Sequence, residues 1–355
     1  MCLFCRFLAC LFIISIASAN IGKKAAIVID YTNGRQVLFA DNPDAKRHPA
    51  SITKVMTIYL LLDAIKNKKI TLNTKFKVSK FATTQMPSKL NLKVGEKISV
   101  LDVIKALVVK SANDVAVVAA EGLSGSVTNF CRLMNQKSRQ LGMNNTHFEN
   151  PSGVPNRKQI SSARDLAKLG MAIFEDFPQH WHFFSNKKFT FSGKTHNTHC
   201  KILHWYKGAD GAKTGYICAS GFNLLVTASK YSKTGEQKRL FVVVMGGSTG
   251  KARDLYAAQL MDKYLKGYSI TPQKPRLKTS KKSLLEQVSK AEMLDKVIFE
   301  EEEVLVSNSK PVLKFNKLLD NLYKSDEDVV EEEDSILIKP TKLKNKKTRP
   351  YTGKN

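Results

Sequence analysis

The sequence predicts an α/β (α+β) domain whose antiparallel sheet is drawn from both ends of the chain and packs around a helical cluster. Two observations carry this. Short β-favouring runs stand near the start, at Ala25–Asp30 and Gln36–Ala40, and return at Gly221–Ser229 and Arg239–Met245. The chain between them is dominated by long stretches with helical apolar spacing. Strands at both ends with a helix-rich middle imply a sheet that recruits both ends of the domain.

The first two runs are joined through Asn33-Gly34, the dipeptide favoured where a hairpin needs positive φ. His48-Pro49-Ala50-Ser51 leads into Val55–Ile65, whose length and apolar spacing predict a buried helix with Ser51 at its first turn. Val100–Leu123 is again helical but broken at Lys110–Asp114 by polar residues that can turn or cap. Val127–Leu141 and Ser162–Phe177 predict two more helices, separated by a loop containing Asn150-Pro151-Ser152-Gly153. Lys188–Ser192, Gly221–Ser229 and Arg239–Met245 read as strands, the last two linked by a polar turn. The amphipathic stretch Ala252–Leu265 closes the domain.

The flanks differ in character. A basic Met1–Arg6, an apolar Phe7–Ile16 and the small residues Ala17-Ser18-Ala19 predict a cleaved secretory signal over residues 1–19. The domain then occupies 20–271. Residues 272–355 alternate acidic and basic blocks, which predicts a mostly disordered charged tail with Val312–Tyr323 as a solvated or partner-induced segment. No later stretch is long enough to span a bilayer, so contact with the envelope would be peripheral. Export also argues against nucleic acid as the partner of a chain with net charge +26, and points to an anionic envelope surface or polymer. Of six cysteines, only Cys131, Cys200 and Cys218 follow the signal. A Cys200–Cys218 bridge and three buried thiols are both open.

Ser51-Ile52-Thr53-Lys54, Ser111-Ala112-Asn113 and Lys213-Thr214-Gly215 follow one another in the chain. A serine and a lysine three residues apart on a helix share one face, so the amine can take the hydroxyl proton without a histidine. Lys54 must then be neutral, a state favoured by burial and by a second cation nearby. A serine at a helix start also stands near N–H groups able to hold an oxyanion.

This ordered trio resembles that of the serine D-alanyl-D-alanine carboxypeptidases of the low-molecular-mass penicillin-binding type, peptidase family S11. Ser111–Ala116, Asn150–Gly153, Ser161–Asp165 and Gly221–Leu224 also look like that family's pattern, and the resemblance runs over about Ala25–Leu265. Ala112 stands where related proteins carry aspartate in a Ser-Asp-Asn triplet. The resemblance implies a β-lactamase/transpeptidase-like fold, Ser51 as acyl-ester nucleophile, Lys54 as proton acceptor, Ser111 as proton relay and Asn113 for orientation. It further implies Lys213, Thr214 and Gly215 at the substrate carboxylate, and the Tyr216 N–H joining that of Ser51 in an oxyanion hole. The expected substrate is the peptidoglycan stem pentapeptide, with β-lactams as trapping inhibitors, in the periplasm. No cofactor and no metal are expected.

Other patterns in the sequence compete with this trio. A second Lys-Thr-Gly at Lys233 lies in a polar turn, whereas Lys213 precedes a strand-like segment. Gly246-Gly247-Ser248-Thr249-Gly250 matches a nucleophile elbow, but no histidine follows it, so a glycine-rich turn is expected. His196, His199, Cys200, His204 and Cys218 cluster without a standard zinc spacing. Glu149 stands where a β-lactamase of the same fold would keep a water-activating glutamate, but the adjoining Asn150–Gly153 favours a surface residue. Nearby Arg253 could contact a substrate carboxylate, but an exposed helix cation is the safer expectation. A non-catalytic envelope-binding protein is the alternative from another class, disfavoured by the intact polar trio.

Overall fold

The structure is a computed structural model that describes residues 24–271, 316 and 319–323. The predicted signal and most of the predicted tail lie outside the described residues. The chain opens with the antiparallel hairpin β1 (Ala25–Asp30) and β2 (Gln36–Asp41). A 3₁₀ turn over Ala50–Thr53 then runs directly into α1 (Lys54–Lys66). Next come β3 (Lys75–Lys77), the short α2 (Lys80–Thr83) and β4 (Lys97–Ser99), with β3 and β4 forming a small ribbon.

The helical middle consists of α3 (Val100–Val109), α4 (Asn113–Ser124), α5 (Val127–Gln140) and α6 (Ala163–Asp176). Local chemistry sets their starts: Ser99, Ser126 and Ser162 each accept an N–H from the first turn of α3, α5 and α6. Beyond them lie β5 (Lys188–Phe191), β6 (Lys194–Asn197) and the single-turn α7 (Ile202–Trp205). Three long strands follow, β7 (Ala209–Ile217), β8 (Gly221–Tyr231) and β9 (Gln237–Gly247), before α8 (Gly250–Tyr264).

The main sheet has the order β2-β1-β9-β8-β7, antiparallel throughout, so the first strand pairs with the last and β7 is left at an edge. Period-two alternation assigns the two faces. Ile27, Ile29, Leu225, Phe241 and Val243 enter the larger core with α1, α3, α4 and α6. Val28, Leu224, Val226, Leu240 and Val242 enter a second core against α7 and α8. The sheet is therefore buried on both sides, which explains why its strands read as continuous apolar runs.

The strand expected at Lys188 forms and pairs with β6, outside the main sheet. Two expectations need correction. Lys213 lies within β7 rather than before it; glycines, charge and small residues hide this strand's alternation, which pairing with β8 supplies. In the tail, residue 316 and residues 319–323 are helical, and Leu319 and Tyr323 are 1% and 6% exposed, so this part is packed rather than solvated.

Candidate active site

Lys54 opens α1 and is fully buried, because the apolar residues that follow carry the helix into the core. Its Nζ lies 2.9 Å from Ser51 Oγ, 2.7 Å from Asn113 Oδ1 and 2.6 Å from the Ser152 carbonyl. The Asn150–Gly153 loop thus supplies a backbone acceptor that its residue types do not announce. Thr57 Oγ1 ties the Pro151 carbonyl to α1 at 2.7 Å, and the Gly153 N–H donates to Asn150 Oδ1 at 2.7 Å.

The break between α3 and α4 contributes the second element. Ala112 is the N-cap and gives no side-chain bond, so Ser111 does not cap the helix. Its side chain instead meets Lys213 Nζ at 3.0 Å. Asn113 donates through Nδ2 to the carbonyls of Met86 and Pro87 at 3.0 and 2.9 Å, clamping the loop that walls one side of the cleft. The neighbouring Asp114 is fully buried and accepts the backbone N–H groups of Leu90, Asn91 and Leu92, fixing the same loop further along. Ala50 and Ser111 adopt φ of 48° and 58°, a conformation costly for residues with a Cβ that here occurs beside Ser51 and at Ser111 itself.

The edge strand β7 brings the third. Lys213 is 1% exposed, and burial together with the nearby Arg253 holds its amine down to about 8. Its Nζ also donates to the Thr214 carbonyl at 2.9 Å. Gly215 packs so closely on the start of the Ser51 turn that a Cβ there would come 2.9 Å from both Ser51 N and the Pro49 carbonyl. Only glycine lets the strand approach this far. Asn223 on β8 braces the same turn, donating to the His48 carbonyl and accepting from the Gly246 N–H, each at 3.0 Å.

All eight predicted site residues converge on one region. Ser51, Ser111, Asn113, Thr214, Gly215 and Tyr216 line a single cleft, while Lys54 and Lys213 stand just beneath Ser51 and Ser111. Arg253 also lines it, and this corrects the sequence expectation. The residue is 3% exposed rather than a surface cation, with Nη1 donating to the Asn223 carbonyl at 3.2 Å and Nη2 2.7 Å from Asp254 Oδ1. The sequence offers Arg253 as a carboxylate contact but does not reveal its burial, which depends on α8 packing on β8 and β9.

The competing patterns resolve geometrically. Lys233 is exposed in its turn. Thr249 in the glycine-rich segment caps α8 by accepting the Ala252 N–H, and Ser248 is exposed. Glu149 bonds His147 at 2.8 Å and does not line the cleft. His199 does line it, and burial with the charges of Lys213 and Lys110 pushes its imidazole down, keeping it neutral. Among the described residues no three His, Cys, Asp or Glu side chains converge as a ligand set. Cys131, Cys200 and Cys218 are free thiols, with Cys218 exposed at the cleft and Cys200 buried. Among the described residues no helix is long and apolar enough to cross a membrane.

A sequence profile for the D-alanyl-D-alanine carboxypeptidase family of S11 peptidases matches residues 14–249. The chain is 36% identical over 247 residues to D-alanyl-D-alanine carboxypeptidase DacA of Haemophilus influenzae, a match covering 68% of this chain and 61% of that protein. The crystal structure of penicillin binding protein 5 from Haemophilus influenzae superposes with a TM-score of 0.64 at 34% identity, covering 68% of this chain and 70% of that one. Penicillin-Binding Protein D2 from Listeria monocytogenes, in its ampicillin-bound form, does so with a TM-score of 0.58 at 27% identity, covering 68% and 96%.

Proposed function

The chain belongs to the D-alanyl-D-alanine carboxypeptidase family, and from that premise we propose that it removes the terminal D-alanine from peptidoglycan stem pentapeptides through an acyl-enzyme on Ser51. The observation that carries this reading is the set of neighbours around Lys54 Nζ. Asn113 Oδ1 and the Ser152 carbonyl can only accept, so Lys54 Nζ donates to both. Ser51 Oγ stands 2.9 Å from the same Nζ, within reach of passing its proton to the amine in its neutral form.

Ser51 Oγ attacks the carbonyl carbon between the two D-alanines. Oxygen charge develops beside the N–H groups of Ser51 and Tyr216. Ser111 passes a proton to the departing D-alanine nitrogen and regains the one that Lys54 took from Ser51, which leaves Lys54 neutral again and Lys213, 3.0 Å from Ser111 Oγ, still charged. Protonated Lys213, the Thr214 hydroxyl and Arg253 bind the terminal carboxylate, and a peptide laid along the β7 edge completes the sheet. Neutral Lys54 then takes a proton from a water that attacks the ester carbonyl, and returns that proton to Ser51 Oγ as the acid leaves.

A β-lactam enters as a substrate mimic and acylates Ser51, consistent with the ampicillin-bound Listeria protein of the same fold. Glu149, turned towards His147, is not poised to speed release as in a β-lactamase. Exported by its leader, the enzyme would act in the periplasm, limiting the donor strands left for crosslinking, with its basic surface in peripheral contact with the envelope. The test is release of D-alanine from a peptide ending in D-Ala-D-Ala, with Ser51→Ala as control. Release by the wild type and none by the variant supports the reading; no release by the wild type sinks it.

A further inference from the structure

The charged tail returns to the domain at a specific place. Asp254, next to Arg253 on α8, is fully buried, and its two oxygens have different tasks. Oδ1 takes Arg253 Nε at 2.8 Å and Nη2 at 2.7 Å. Oδ2 takes the hydroxyl of Tyr323 from the tail helix. Trp205 Nε1 donates to the same phenol oxygen at 3.4 Å, and Asp320 pairs with Lys251 one turn of α8 away. Burial and Asp254 push the Tyr323 phenol far up, so it remains a proton donor throughout the working range.

We propose that Tyr323 is a positioning residue for the carboxylate end of the cleft: its hydroxyl fixes Asp254, and Asp254 fixes the fork of Arg253. Arg253 donates one N–H to the Asn223 carbonyl and its Nε–H to Asp254, whose Oδ1 also ion-pairs with Nη2. The remaining N–H groups of the guanidinium are left for a ligand, aimed by whatever holds these contacts. A buried carboxylate that loses a donor from one oxygen rotates to recover it, and the guanidinium it holds turns with it. The tail is then part of the substrate site, although the family match ends at residue 249, before Arg253 itself.

The inference rests on the carboxylate-binding role proposed for Arg253, so its test separates the two. Full-length Tyr323→Phe keeps the ring and removes only the hydroxyl. Expected are a KM about fivefold higher for a D-Ala-D-Ala peptide with kcat within about twofold, the scale of a charge-assisted hydrogen bond partly replaced by water. Acylation of Ser51 by a penicillin should slow by a similar factor, while acylation by the same penicillin with its carboxylate esterified should not. In an Asp254→Asn background, Tyr323→Phe should add nothing further. Equal slowing with both penicillins would indicate a merely structural role and overturn the proposal. So would unchanged rates with both, or a further loss on top of Asp254→Asn. Should the wild type be acylated yet release no D-alanine, the substrate reading fails while the penicillin pair still decides the role of Tyr323.

Discussion

Lys213 Nζ donates to Ser111 Oγ at 3.0 Å in a site where both side chains are nearly inaccessible to solvent, and its proton is held weakly, near 8. Activity should therefore fall as pH rises through about 8, when Lys213 loses both its charge towards a carboxylate and its proton for Ser111. Stability should move the other way. The unfolded chain keeps this proton up to about 10.5, so between the two values it binds more protons than the native state, and this group's contribution favours the fold increasingly as pH climbs. Below about 8 the cost of the buried charge is fully present. Penicillin acylation rates and urea unfolding, both measured from pH 7 to 10, check the opposed trends.

Arg253→Gln removes the cation that helps hold the Lys213 amine down. The alkaline limb of the acylation profile should move to higher pH, and KM for a carboxylate-ended peptide should rise about tenfold, as for loss of a charge-assisted contact. A limb that stays in place would show that burial alone sets the Lys213 proton affinity.

Lys54→Met keeps the length and apolar stem of the buried side chain but removes the amine. Acylation of Ser51 should drop by about 10²- to 10⁴-fold, the usual worth of a positioned general base. The variant also leaves Asn113 Oδ1 and the Ser152 carbonyl without their shared donor, at a cost of about 1–3 kcal/mol each where no water enters. Stopped-flow acylation beside a denaturation midpoint separates the two effects.

The first two motifs of the candidate site were legible because each breaks a strong local pattern: Ser51 and Lys54 at the head of an apolar helix, and Ser111 with Asn113 in a polar gap between two others. The helices and the β1, β8 and β9 strands were legible for the same reason, since their apolar periods are long and clean. What escaped depends on partners remote in sequence. Arg253 is buried only once α8 covers β8 and β9, and Tyr323 is buried only once the tail meets Asp254. The Ser152 carbonyl that holds Lys54 is a backbone atom, and no side-chain pattern encodes it.

That backbone contact supplies the most exacting test of the site's geometry. Gly153 has φ of +89°, and a Cβ there would lie 1.9 Å from the Ala50 carbonyl oxygen and 2.9 Å from Ser51 N. Gly153→Ala therefore combines a conformation that disfavours side chains with a collision against rigid backbone, which no rotamer change relieves. Either the Asn150–Gly153 loop retreats, taking the Ser152 carbonyl from Lys54, or the 3₁₀ turn shifts and Ser51 with it. Both paths disable acylation, by an expected factor above about 100, since small misplacements of reacting groups carry penalties of that size. Stability should fall by more than about 2 kcal/mol. Gly125→Ala is the matched control, because that glycine has φ of +76° but open space where its Cβ would lie. It should lose stability through strain alone, and its rate of penicillin acylation, compared under fully native conditions, should stay at the wild-type value.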